Sequence, residues 1–227
     1  DPETSDAFEF GYKYTSSDVL FSIAAYKANI DGFQANNFDN STGVTITRLT
    51  NAGKVSTKGV EVDLQWNATA NLAFTVAAAL NDAQIEEFNC PVDPLTGELP
   101  AGCTSRSGLD LLFSPDFNYT IGSNYSVPVG EADMVVFNAS WAHIDEQNSL
   151  LPSTSGDFSP VSRLPGYDML NVSLSYEIDD GKYRVTAFVK NLLDDSFVTT
   201  YSGDNFRYQI PRDADRYFGL NFRAAFN

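Results

Sequence analysis

The chain has 227 residues, with 14 Lys and Arg set against 30 Asp and Glu, for a formal net charge of −16. That balance excludes nucleic acid as a partner, because a phosphate-binding face needs a basic patch. Hydrophobic residues make up 43% and charged residues 19%, which excludes a disordered chain of low hydrophobicity.

Aromatic residues reach 13%, and Phe, Tyr and Val on alternate positions favour strands over helices. No apolar run reaches the 18 or more residues of a spanning helix, and no basic-then-apolar segment opens the chain as a signal peptide would. The chain starts at Asp1-Pro2-Glu3 without an initiator Met, so it reads as a mature or excised piece.

Nine strands are predicted. The first covers about 5–16 and the second about 19–34, joined by Ser16-Ser17-Asp18. After the polar NNFDNSTG comes a long third strand, about 43–66, then a turn at 67–71 and a fourth strand at about 72–88. A long Pro- and Gly-rich connection precedes the fifth, about 108–126, and VPVGEAD leads to the sixth, about 133–147. NSLLPSTSGDFSPVSRLPG separates this from the seventh, about 167–178, and Asp179-Asp180-Gly181 opens the eighth, about 182–200. YSGDNFRYQIPRDA precedes the ninth, about 215–226.

Period-2 alternation runs through these segments. In the third strand Val60, Val62, Leu64 and Trp66 oppose Glu61, Asp63 and Gln65. In the fifth, Leu109, Leu111, Phe113, Phe117, Tyr119, Ile121 and Tyr125 share one parity. The last puts Phe218, Leu220, Phe222 and Phe226 opposite Tyr217, Gly219, Asn221 and Arg223. The second strand breaks its pattern, passing from Phe21, Ile23 and Ala25 to Tyr26, Ala28 and Ile30, as a bulge or a misplaced boundary would give. Alternation alone also fits a soluble sandwich. The strand lengths decide otherwise: soluble strands average 5–6 residues, and long strands with short turns at one end and long loops at the other describe an outer-membrane barrel. Trp66, Trp141, Tyr176 and Tyr217 near strand ends suit interfacial girdles.

Cys90 and Cys103 are the two cysteines, both inside one long connection, and read as a disulfide staple. His143 is the single His, so a Ser-His-Asp or Cys-His arrangement would have to use it; a lumen or rim position at the top of the sixth strand is its expected place. The acidic pairs Glu86-Glu87, Asp145-Glu146 and Asp179-Asp180 read as solvated strand ends and turns, and Asp194-Asp195, after Asn191-Leu192-Leu193, reads as structural. No catalytic constellation, metal-ligand spacing or phosphate-cradling Gly loop emerges, so neither an enzyme nor a cofactor is expected.

Taken in order, PETSDAFEFGYKY, LFSIAAYKANIDGFQ, NAGKVSTKGVEVDL, LLFSPDFNYTIGSNY, GYDMLNVSLSYE with YRVTAFVKNLLDDSFVTTY, and PRDADRYFGLNFRAAF resemble the C-terminal part of TonB-dependent outer-membrane receptors. NAGKVSTKGVEVDL carries the most specific match. The resemblance implies an all-β antiparallel transmembrane barrel of about 22 strands, of which this chain supplies about nine C-terminal ones, without the plug domain. It implies energy-coupled uptake in a Gram-negative outer membrane, with ferric siderophore the commonest ligand class and oligosaccharides and cobalamin behind it. The implied partners are membrane lipid and lipopolysaccharide, the remaining strands and plug, a TonB-type coupling protein and an extracellular ligand.

In that frame selectivity falls to lumen-facing residues and to the long loops. The candidate ligand contacts are Phe88, Arg106, Phe158, Arg163, Tyr201, Phe206, Arg207 and Tyr208, since aromatics with Arg suit a siderophore or a sugar. A passive porin or adhesin barrel is the alternative, and a secreted carbohydrate-binding β-sandwich the alternative from another class.

Overall fold

A computed structural model describes residues 1–39, 46–90, 97, 105–150, 162–202, 207–208, 210–211 and 214–226. Long strands dominate: β1 (Thr4–Thr15), β2 (Val19–Asp39), β3 (Ile46–Thr69), β4 (Leu72–Phe88), β5 (Phe117–Val129) and β6 (Asp133–Ile144). Two short pieces, β7 (Gln147–Asn148) and β8 (Arg163–Leu164), pair with each other before β9 (Tyr167–Ile178) and β10 (Tyr183–Lys190). A second short pair, β11 (Tyr201–Ser202) and β12 (Arg207–Tyr208), precedes β13 (Tyr217–Ala224).

The nine long strands form one antiparallel sheet in the order β1-β2-β3-β4-β5-β6-β9-β10-β13. Neighbours in the sheet follow one another in sequence, so it is an uninterrupted meander. Tight turns join strands at one end, where Gly130 and Gly181 take positive φ beside Asp179 and Asp180, residues that tolerate the left-handed region. Long connections occupy the other end. Strand lengths of 12 to 24 residues in β1–β6 match the expected number and order of elements.

Register carries the alternation across the sheet. Tyr12, Ile23, Val62, Ala78 and Tyr119 stand in one cross-strand row, and Lys13, Ser22, Asp63, Ala77 and Thr120 in the next. Through the middle of the sheet one face is therefore apolar and the other polar. Among the described residues nothing packs on the apolar face: Phe10 is 82% exposed, Leu220 80% and Phe218 71%. A continuous apolar face of this extent far exceeds the few hundred Å² that soluble monomers expose. A sandwich would bury it under a second sheet, and the two other sheets among the described residues have two strands of two residues each.

The second strand runs on to Asp39, not about 34, and the structure differs from expectation in three further places. The fifth strand begins at Phe117, not near 108: Asp110 makes only an isolated bridge to Gln84, Phe113 adopts φ 56°, and Pro115 has no N–H to donate to a ladder. The eighth ends at Lys190, not near 200, because Asn191 turns into the left-handed region with φ 49°. The second strand has no bulge at the break in its pattern. Its register with β3 runs unbroken from Val19–Trp66 to Asp31–Lys54, and the irregularity comes only around Phe33. The apparent switch has another cause. Toward the long-connection end, the polar face itself turns apolar, with Ile30, Val55 and Ile85 in adjacent strands.

Candidate functional site

The polar face in the middle of the sheet is a carpet of short hydrogen-bonding side chains. Thr75, Thr120, Asn124, Asn138, Ser140, Asn171 and Ser173 line a depression of about 390 Å³ with Lys190 and the Phe188 ring at one side. Asn124 donates to Asn138 at 2.7 Å, and the Ser175 and Thr186 hydroxyls meet at 2.8 Å. Such a surface offers neutral donors and acceptors, with charge entering below through Glu177 and Arg184, 2.5 Å apart.

Nearer the long connections the polar face is bound into a network centred on Asn81. Tyr26 Oη and Thr57 Oγ1 both donate to Asn81 Oδ1, at 2.9 and 2.8 Å, and Asn81 Nδ2 donates to Ser114 Oγ at 2.7 Å. The network depends on Gly59. The end of the Tyr26 side chain lies against it, and a Cβ at that position would come within 2.7 Å of Tyr26 Cζ. Gly53 is needed for a different reason: its φ is +134°, and a Cβ there would collide with the Glu87 carbonyl.

Above this network the buried side chains of Ala52, Val55, Ala83 and Ile85 form a small satellite core. Phe33, Phe88, Leu111 and Leu112 complete an apolar pocket of about 270 Å³ around Gly53. The guanidinium of Arg106 sits 5.8 Å from the centre of the Phe88 ring, and Arg106 is itself buried. Ser107 Oγ accepts from the Phe88 backbone N–H, which fixes the ring's approach. A half-buried aromatic capped by a buried guanidinium beside an apolar pocket can receive a planar, anionic or aromatic group.

The mouth is acidic. Asp116 lies just before β5, and its carboxyl is raised above the ordinary 3.8, first by partial burial and then by Asp110, Asp145, Asp82 and Glu146. Arg163 of β8 does not join the pocket residues; it pairs with Glu146 at 3.0 Å and stays exposed. Tyr201, Arg207 and Tyr208 form the backbone of the β11–β12 pair, Tyr201 opposite Tyr208. Phe158, Phe206 and Cys103 lie outside the described residues. Cys90, two residues beyond β4, is disulfide-bonded. Phe88 and Arg106 thus meet at the pocket, and Tyr201 and Tyr208 pair separately in β11–β12.

Of the lumen or rim positions expected for His143, the structure gives the rim and not the lumen: it lies one residue short of the upper end of β6. It stands on the apolar face, opposite Tyr119 on β5 and Asp168 on β9. Its Nδ1 is 3.1 Å from Asp168 Oδ1, and Trp141 Nε1 donates to the same oxygen at 2.8 Å. Parity could have found this, since His143 shares its parity with Trp141 and Phe137. The Asn81 network and the Leu111–Leu112 wall of the pocket were missed; their residues are single polar or apolar positions whose partners lie on other strands.

Among the described residues, no group of three or more His, Cys, Asp or Glu is placed to hold a metal. Comparison with solved structures finds the same sheet in larger receptors. The ferric yersiniabactin uptake receptor FyuA from Yersinia pestis superposes with a TM-score of 0.73 at 19% identity, over 99% of this chain and 30% of that one. The ferric-catecholate import receptor Fiu from E. coli K12 gives 0.67 at 18%, over 97% and 27%, and the ferric citrate transporter FecA 0.68 at 18%, over 97% and 31%. The chain therefore spans roughly 30% of the length of these structures. No curated protein sequence matches it. The family profile described as TonB dependent receptor-like, beta-barrel, matches residues 1–192. With its open meander, uncovered apolar face and polar inner wall, this chain belongs to the TonB-dependent receptor β-barrel family.

Proposed function

We propose that residues 1–227 form the C-terminal nine strands of the barrel of an energy-coupled uptake receptor in a Gram-negative outer membrane, and that its ligand is a ferric siderophore. The observation that carries the reading is the two-faced nine-strand meander, polar on one side and uncovered and apolar on the other, open at β1 and β13. The apolar face meets lipid and lipopolysaccharide, and the polar face lines a lumen filled by a plug. The ferric-complex receptors with the same fold support that choice of ligand class. A TonB-type protein, engaged through a part of the receptor beyond these residues, supplies the energy.

Capture takes place at the long-connection end. Arg106 over Phe88, beside the apolar pocket, is suited to the delocalised anionic or aromatic face of a chelate. Arg163, Tyr201, Arg207, Tyr208, Phe158 and Phe206 belong to the same group of connections and are assigned to the outer contact surface. The Cys90–Cys103 staple holds the connection that carries Arg106.

The test uses the full-length receptor in iron-limited cells supplied with a panel of ferric siderophores. One of them should restore growth, and collapse of the proton-motive force should abolish its uptake. In purified receptor, Arg106→Ala should weaken binding of that chelate by about fivefold to thirtyfold, in the range of a partly desolvated cation–π contact. Uptake that persists without the proton-motive force would establish the passive barrel instead.

A further inference from the structure

The apolar face ends in an unusual way on β5, β6 and β9. His143 is ten residues from Asp133, where β6 begins. At ~3.3 Å per residue and a tilt of about 40°, that places it ~25 Å up the wall, at the upper edge of a barrel's apolar band. At that level the face carries a carboxylate set among rings. The Tyr119 ring stacks on His143 with centres 5.2 Å apart and meets Trp141 edge-on at 5.7 Å. Trp141 Nε1 and His143 Nδ1 both engage Asp168 Oδ1, whereas Asp168 Oδ2 has no donor among the described residues. The Asp168 side chain is 35% exposed and Trp141 43%, so both are reached from outside the sheet.

A free carboxylate oxygen beside Tyr and Trp rings, the Trp presenting its N–H edge to the carboxylate, is chemistry that selects an ammonium ion. The carboxylate supplies charge and hydrogen-bond acceptance, and the rings supply their negative faces. Among the described residues no Lys or Arg pairs with Asp168; the nearest charged residue along the chain, Arg163, pairs with Glu146 instead. Resting on the proposed lipid-facing assignment of the apolar surface, we propose that Asp168, Tyr119 and Trp141 bind the primary-ammonium headgroup of an outer-leaflet lipid. The site fixes the height of this part of the wall in the membrane and marks a lipid-specific contact far from the ligand pocket.

The experiment titrates detergent-purified full-length receptor with phosphatidylethanolamine and, separately, phosphatidylglycerol, and counts bound lipids by native mass spectrometry. Asp168→Asn keeps an acceptor for Trp141 and His143 but removes the charge. It should lower phosphatidylethanolamine occupancy about fivefold and leave phosphatidylglycerol unchanged. Trp141→Leu should move occupancy in the same direction. Equal binding of both lipids to the native receptor, or unchanged occupancy in Asp168→Asn, overturns the proposal. A fluorophore on Leu174→Cys, tested for quenching by brominated lipid, separates the two assumptions. Quenching without headgroup discrimination defeats the headgroup site alone, and no quenching defeats the face assignment together with it.

Discussion

Gly59 shows how much a single position does here. It lies against the end of the Tyr26 side chain, so the phenol can reach Asn81, and Asn81 in turn holds Ser114 at the start of the descent into β5. The need for close approach at Gly59 and Gly53 was legible, because an isolated Gly in a strand pattern marks such a place. The partners were not. Asn81 is one polar residue in an alternating run, and only register shows that Tyr26 and Thr57 converge on it. Asp116 yields a test at the same scale. Its raised carboxyl means the folded protein holds that proton more readily than the unfolded chain, so stability falls as pH rises above 3.8 through the raised value. Asp116→Asn should therefore raise the denaturant midpoint of the full-length barrel at pH 7, and the gain should vanish below pH 3.8. The residue is exposed, so screening holds the gain under about 1 kcal/mol. No gain at pH 7 would mean the acidic mouth does not strain the carboxylate.

At the scale of the element, β3 separates the two faces most cleanly. Val62 lies in the row with Ile23 and Ala78, and Glu61 in the row with Ala24 and Ala79. Val62→Arg should destabilise the barrel in vesicles by about 2–4 kcal/mol, the cost of a cation near the bilayer midplane. Glu61→Leu, facing the lumen, should leave the unfolding midpoint nearly unmoved. The reverse ordering would exchange the faces. The segment NLLDD after β10 shows why sequence alone misplaced a boundary. Its apolar Leu192 and Leu193 extend the strand pattern, yet Asn191 is fully buried and bends the chain out of the ladder. Its Nδ2 donates to the carbonyls of Asp195 and Ala214, its Oδ1 accepts from Asp195 N–H, and Arg216 closes the knot on Asp194 at 3.2 Å. Asn191→Ala would orphan three backbone groups and force Ala into positive φ. A loss of ~3–5 kcal/mol should follow, read as a lower temperature for loss of the compact, detergent-resistant band.

Across the whole molecule, strand count, order and alternation were legible because each strand is long enough for period 2 to outweigh its exceptions. What alternation could not supply is closure. The sheet ends at β1 and β13, and these strands do not pair with each other. Every residue of β1 is exposed, so its outer row of N–H and C=O groups awaits another strand. In lipid each unsatisfied backbone group costs several kcal/mol, and the free edges of a 12-residue and an 8-residue strand together leave on the order of ten residues' groups unpaired. That far exceeds the 5–15 kcal/mol by which a folded domain is stable. Residues 1–227 expressed alone and refolded into detergent should therefore give no heat-modifiable band and should aggregate through the β1 and β13 edges. The full-length receptor, with strands to satisfy both edges, should give that band. A compact, detergent-resistant form of the isolated segment would show that β1 and β13 can find each other, and the chain would then be a small barrel in its own right.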